Sequence, residues 1–179
     1  MEPVLSSFFL QDDDITLRVF RQSDRDQLVA LADNPKIFAQ MSNRFPHPFT
    51  SADADLWISR DLKQVQPNSL AIEWKGQLCG GIRISPYSDV HSKTGGMGYW
   101  LGEPFWGKGI MARAISLFVP FALREFSVLR VEALVFANNT SSARVLEKAG
   151  FQKEGVLRKH CVKNGIIMDG ILFAKVVSD

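Results

Sequence analysis

Two glycines bracket a lysine in Trp106-Gly107-Lys108-Gly109, between a strand-like run (Met97 to Leu101) and an apolar helical pattern reaching Phe126. A strand that bends through glycines into a helix leaves the helix's first N–H groups without intrahelical partners, all pointing one way. With the helix dipole behind them they form an anion site, and the usual anions there are phosphates and diphosphates. Gly107 and Gly109 let the backbone approach such a group, and Lys108 adds a cation. The loop is neither GxGxxG nor GxxxxGK[ST], which disfavours the dinucleotide and P-loop readings. Taken alone, the pattern also describes an ordinary strand-to-helix connection.

The elements that would position this loop can be read outward from it. Ile110, Ala114, Leu117, Phe118 and Phe121 share one stripe of the helix that follows. Pro120 falls on the opposite side with Arg113 and Ser116, which predicts a bend and not an end. Upstream, Leu70–Trp74 and Leu78–Ser85 read as a hairpin turning at Lys75-Gly76, and a polar connection from Asp89 to Gly96 leads into the Tyr99 strand. Ile15–Phe20 alternates as a strand. Ser23 or Asp24 opens a helix that Asn34-Pro35 stops. After the aromatic, proline-broken segment 37–49, Thr50 or Ser51 caps a second helix to about Gln64, with Ala54, Trp57, Ile58 and Leu62 on one face. Downstream come a strand at Val131–Phe136, a short helix capped by Asn138-Asn139-Thr140 and ended by Gly150, and a hairpin around Asn164-Gly165. The order β-α-α-β-β-β-α-β-α-β-β predicts an α/β (α+β) fold, a mixed sheet with helices on its faces.

A length of 179 residues fits one domain, residues 15–177, behind an N-terminal arm, residues 1–14, that ends in Asp12-Asp13-Asp14. The chain is 46% hydrophobic and 22% charged, a soluble globular composition. Its net charge of +2 is too small to imply a nucleic-acid or membrane partner. Cys79 and Cys161 read as core or half-buried thiols of a reducing compartment. No apolar run is long enough to span a bilayer, and Met1-Glu2-Pro3-Val4-Leu5 lacks a basic n-region, so the expected location is cytoplasmic. His91 and His160 lack partner spacing, and no paired His/Cys pattern exists, so no metal is expected.

Tyr99-Trp100-Leu101, Trp106-Gly107-Lys108-Gly109, Arg130-Val131-Glu132-Ala133 and the run Asn139 to Phe151, in this order and spacing, resemble the GNAT acyl-CoA N-acyltransferases. Within them the chain looks most like the RimJ/RimL-like branch of ribosomal-protein N-terminal acetyltransferases. Phe45-Pro46-His47-Pro48-Phe49-Thr50, then Asp53-Ala54 and Trp57-Ile58, also resembles that branch, and the similarity runs from about Ile15 to Val177. The resemblance implies a mostly antiparallel central sheet splayed between its two middle strands, with acetyl-CoA as co-substrate. The diphosphate would rest on the N–H groups of Gly107, Lys108, Gly109, Ile110, Met111 and Ala112 beside Trp106. Met111 stands where the family prefers a small residue. The pantetheine arm would pair with the Trp100–Leu101 backbone like an added strand beside Tyr99. A backbone N–H there would bind the thioester oxygen, a donor worth roughly 3–4 kcal/mol of barrier.

Two side chains carry over from the resemblance. Asn139 matches an asparagine that contacts CoA, and Ser142 a serine near the thiol that protonates the leaving thiolate. Ser142 shares a helical stripe with Val145, Leu146 and Ala149, yet a serine at a helix start also commonly bonds the backbone. Many members carry a glutamate at the start of the Tyr99 strand, whereas this chain has Gly95-Gly96-Met97-Gly98. The general base must then be water or another group, with Glu73, Glu132, Glu103 and His47 as candidates. Glu132 also reads as a strand carboxylate beside Arg130, and His47 as a packing or solvent-facing residue between prolines. Tyr99, Trp100, Phe38, Phe45 and Phe49 divide between core and cleft wall.

The expected reaction is direct attack of a primary amine on the thioester, with both substrates bound together. An α-amine, with an unperturbed pKa of about 7.7–8.0, needs less help from a base than a lysine side chain near 10.4. This favours a peptide N-terminus or a small-molecule α-amine as acceptor. Two other readings stay open at this point: a CoA-binding module without turnover, and a polyamine or aminoglycoside acetyltransferase, for which Asp53 and Asp55 are the nearest carboxylate pair. Monomer and homodimer are equally compatible with the sequence.

Overall fold

A computed structural model describes residues 8–177. The chain folds as two compact units, one made of residues up to 83 with 99–110 and the other of residues 84–98 with 111 onward.

In the first unit β1 (Phe9–Asp12) pairs antiparallel with β2 (Ile15–Arg18), β2 with β3 (Ser69–Trp74), and β3 with β4 (Gln77–Pro86). Within the expected arm, residues 1–14, Asp13 adopts φ +52 and turns Phe9–Asp12 back onto β2, because aspartate tolerates the left-handed region. The rest of that arm, residues 1–7, lies outside the described residues. The Lys75-Gly76 turn has φ +52 and +78, the two left-handed residues of a type I′ hairpin. α1 (Arg25–Ala32) ends where Asn34-Pro35 predicts, but Pro35 also opens a short helix, α2 (Pro35–Phe38). Asn34 caps α2 by accepting the Lys36 N–H at 2.8 Å, and proline suits a first helical position. α3 (Ser51–Leu62) carries a reciprocal cap between Thr50 and Asp53. Its inward face is Ala54, Ile58 and Asp61; Leu62, expected there, is exposed. Asp61 tolerates burial by accepting the Ser69 hydroxyl at 2.7 Å.

The core of this unit combines aromatic and aliphatic side chains. Phe20, Phe45, Phe49 and Trp100 are buried with Leu28, Ile37, Ile58 and Leu78, and Trp57 packs against them. Arg18, 5% exposed, is satisfied by both oxygens of Asp24 (2.7 and 2.8 Å) and by Glu73 (2.7 Å).

In the second unit β5 (Thr94–Leu101), which continues into the first, runs parallel to β6 (Arg130–Phe136). β6 pairs antiparallel with β8 (Ile166–Val176), and β8 with β7 (Gln152–Lys163). β5 starts at Thr94, earlier than the polar connection expected to Gly96. The strand order β1-β2-β3-β4-β5-β6-β8-β7 is the mixed, mostly antiparallel sheet anticipated. α4 (Ile110–Glu125) passes through an exposed Pro120 without ending, and α5 (Thr140–Lys148) follows β6. Among the described residues no helix is long and apolar enough to cross a membrane.

Candidate functional site

The glycine loop begins where β5 stops. Gly102 donates its N–H to Cys79 O at 2.8 Å, and a single 3₁₀ turn, Glu103–Phe105, leads to an extended Trp106. The Trp106 indole N–H donates to Leu101 O at 2.7 Å and so ties the loop to the strand end. Gly107 (φ +74) and Gly109 (φ +75) then adopt left-handed conformations, and α4 starts at the next residue. Neither glycine has an atom within 4 Å of the place a Cβ would occupy, so backbone conformation and not crowding selects glycine here. Trp106 to Gly109 are exposed, whereas Ile110 and Met111 bury their side chains and Ala112 is half-buried. The loop therefore presents main chain to solvent in front of a helix N-terminus. Lys108 lies over the Trp74 ring, 5.1 Å from its centroid.

The β5 end is set from behind by Gly80 and Gly81, whose importance the sequence reading missed. A Cβ at Gly80 would overlap Trp100 O and reach within 3.1 Å of Leu101 Cα. One at Gly81 would come within 2.9 Å of the Trp100 indole nitrogen. Adjacent glycines inside a strand are the available signal for such close backbone approach. Trp100 is a core residue, edge-on to Trp57 and Phe45, whereas Tyr99 and Leu101 are half-buried. The β5–β6 ladder contains the pairs Thr94↔Arg130, Gly95↔Val131 and Gly96↔Glu132, although β5 runs to Leu101 and β6 to Phe136.

In the second unit Asn139 is the N-cap of α5, its side-chain oxygen accepting the Ser142 N–H at 3.0 Å. That leaves its amide NH₂ to donate elsewhere. Ser142 is half-buried on the stripe it shares with buried Leu146 and Ala149.

The candidate bases separate clearly. Glu73 is held by Arg18 at 2.7 Å. Glu103 pairs with Lys36 and accepts from Asn34, and the lysine contact first, then the amide, holds its carboxyl below the usual range. Glu132 accepts from the Tyr87 hydroxyl at 3.1 Å and from Arg130 at 3.0 Å. Burial, and then the Glu132 carboxylate, raises Tyr87 above the ordinary phenol range. A Cβ at Gly96 would lie 2.6 Å from that hydroxyl, so a glutamate there would require the Tyr87 side chain to shift. His47 differs from all three, with its Nδ1 3.3 Å from an Asp33 oxygen and no cation against it among the described contacts. Cys79 is inert, its thiol pushed up to about 12 by burial.

Known proteins compare as follows. The family described as "Acetyltransferase (GNAT) domain" matches residues 14–152. The "Probable N-acetyltransferase YjcK" of Bacillus subtilis (strain 168) is 47% identical over 93 residues, 52% of this chain and 51% of that protein. The match thus spans about half the length of that relative. The crystal structure of the Microcin C7 self immunity acetyltransferase MccE in complex with acetyl-CoA and AMP has a TM-score of 0.79 at 26% identity, covering 93% of this chain and 94% of that one. RimL, the ribosomal L7/L12 alpha-N-protein acetyltransferase, in complex with coenzyme A, shares the fold with a TM-score of 0.82 at 19% identity, covering 95% and 98%.

Proposed function

Because this chain belongs to the GNAT acetyltransferase family, we propose that it is an N-acetyltransferase that moves the acetyl group of acetyl-CoA onto a primary amine. What supports this above all is the bend from Trp106 to Gly109, where two left-handed glycines expose main chain at the start of α4. N–H groups from Gly107 to Ala112 would take the diphosphate, whose charge suits a helix N-terminus. Past the last ladder pair at Gly96, the edge of β5 near Leu101 would receive the pantetheine arm as an added strand. A main-chain N–H on that edge would hold the thioester oxygen as it becomes an oxyanion. The Asn139 amide would donate to the cofactor, and the Ser142 hydroxyl would protonate the departing thiolate. Glu132, committed to Tyr87 and Arg130, has a structural part in this scheme.

The acceptor is an α-amine, either a protein N-terminus or a small molecule. RimL is named for a ribosomal-protein α-amine, and AaaT of Escherichia coli (strain K12), 21% identical over 164 residues, is named for L-amino acids. A polyamine would require clustered carboxylates facing a cleft. Asp53 is instead bonded to Thr50 and Asp55 to Arg25 at 2.8 Å. A cytoplasmic setting, where acetyl-CoA is made and used, fits this chemistry.

Thiol release from acetyl-CoA, followed with a panel of N-terminal peptides and small amines, tests the proposal. Turnover with an α-amine, and a product heavier by one acetyl group, is expected. Calorimetric binding of acetyl-CoA without turnover on any amine would leave a binding module, and no binding would overturn the loop assignment.

A further inference from the structure

The segment between α2 and α3 presents an imidazole that the fold holds in place. His47 stacks on Phe38, with ring centroids 5.1 Å apart and planes at 23°, while Asp33 takes its Nδ1 edge at 3.3 Å. Asp33 is itself fixed, because the same carboxylate oxygen accepts the Phe49 N–H at 2.9 Å. The residues on either side of the histidine are anchored too. Phe45 and Phe49 are buried, their rings pack together, and Phe45 lies edge-on to Trp100 with centroids 6.2 Å apart. His47 therefore rides on a segment seated against the end of β5, and its side chain is 32% exposed.

We propose that Asp33 and His47 form a base pair in the chemical sense: Asp33 orients the imidazole through Nδ1, and Nε2 accepts the proton of the incoming α-ammonium. The assignment rests on the acetyl-transfer function proposed above. A carboxylate set against Nδ1 favours the tautomer that leaves Nε2 basic and stabilises the imidazolium formed. The other carboxylates considered are each taken up by a cation: Glu73 by Arg18, Glu103 by Lys36 and Glu132 by Arg130. Asp33 is the charged group in contact with His47 among the described contacts; on the neighbouring α2 Lys36 pairs with Glu103, and Arg44 in the same segment is exposed.

The proton count closes. The substrate arrives as R–NH₃⁺ and passes one proton to His47 Nε2. The freed nitrogen then forms a bond to the thioester carbon, the C–S bond breaks, and the thiolate takes up the proton that the attacking nitrogen sheds. His47 returns its proton to water, giving amide, CoA thiol and one proton. A base of this kind suits an amine that is partly neutral near pH 8 and falls far short for a lysine side chain. The acceptor class is accordingly an α-amine.

The test is the pH profile of kcat/KM for a peptide acceptor, in the wild type, His47→Gln and Asp33→Asn, with acetyl-CoA affinity measured by calorimetry alongside. For His47→Gln, kcat is expected to fall on the order of 100-fold near neutrality. The loss should shrink as rising pH deprotonates the amine in solution, with acetyl-CoA affinity unchanged. Asp33→Asn, which can still accept the Phe49 N–H, should lower kcat by a smaller factor without moving the KM for acetyl-CoA. Should His47→Gln fold poorly, Asp33→Asn reads the same profile. Parallel pH profiles in wild type and variants would overturn the pair while leaving acetyl transfer intact. Loss of acetyl-CoA binding in the wild type would instead indict the loop.

Discussion

The main-chain oxygen of Trp100 lies so close to Gly80 that a methyl group there would overlap it. Two strands are thus brought together by the absence of one side chain, and the Trp100 ring takes its place in the aromatic core through the same vacancy at Gly81. Gly80→Ala is expected to cost about 1–3 kcal/mol of stability by overpacking and to weaken acetyl-CoA binding by shifting Leu101. Gly155→Ala, with open space around it and no left-handed backbone, should change neither. Thermal unfolding and calorimetry on both variants check the pair, and an unaltered Gly80→Ala protein would contradict the geometry.

Asn139 has two separable tasks. Its oxygen caps α5, and its amide is assigned to the cofactor. Asn139→Ala should lose about 1 kcal/mol of stability with the cap and raise the KM for acetyl-CoA. Asn139→Asp keeps an oxygen for the Ser142 N–H, so it should unfold like the wild type while KM still rises. An aspartate variant with wild-type KM would remove the amide from the binding scheme.

Backbone conformation alone distinguishes Gly109→Ala. The space is open, so the cost is the left-handed φ of +75, roughly 1–2 kcal/mol if the loop keeps its shape. A loop that relaxes instead turns its N–H groups away. The expected readout is a raised KM for acetyl-CoA with kcat little changed, since the diphosphate lies remote from the reacting carbon. A fall in kcat alone would argue against this placement.

Asp61 makes stability depend on pH. Burial is the largest influence on it and raises its carboxyl above the ordinary value, against the Ser69 hydroxyl and Arg60 contacts. In the folded state the proton is held more tightly than in the unfolded chain. Stability therefore falls as pH rises from the unfolded carboxylate pKa through the folded one. Asp61→Asn, which can still accept the Ser69 hydroxyl, should flatten that limb of the curve and raise the melting temperature at neutral pH. Melting curves between pH 4 and about 7 would show the two proteins converging at the acid end.

Features fixed by neighbours in the chain were legible in the sequence. The Lys75-Gly76 and Asn164-Gly165 turns, the Thr50 and Asn139 caps and the Gly150 terminator each follow from the conformational preferences of a few adjacent residues. α2 escaped because a four-residue helix shows no periodicity, and β1 because its partner supplies the pattern. The commitments of the candidate bases were hidden for another reason. Glu73 meets Arg18 from 55 positions away, and Asp33 meets His47 only after α2 and the turns that follow it have folded. Spacing along the chain carries no record of such pairings.

Trp57 and Trp100 stand with ring centroids 6.4 Å apart and planes at 74°. Two indoles so close and so far from parallel couple their electronic transitions, and a coupled pair of fixed handedness contributes a signed couplet to circular dichroism. The molecule therefore carries an optical gauge of its own aromatic interior. The couplet should persist while the end of β5 is seated and vanish on its displacement.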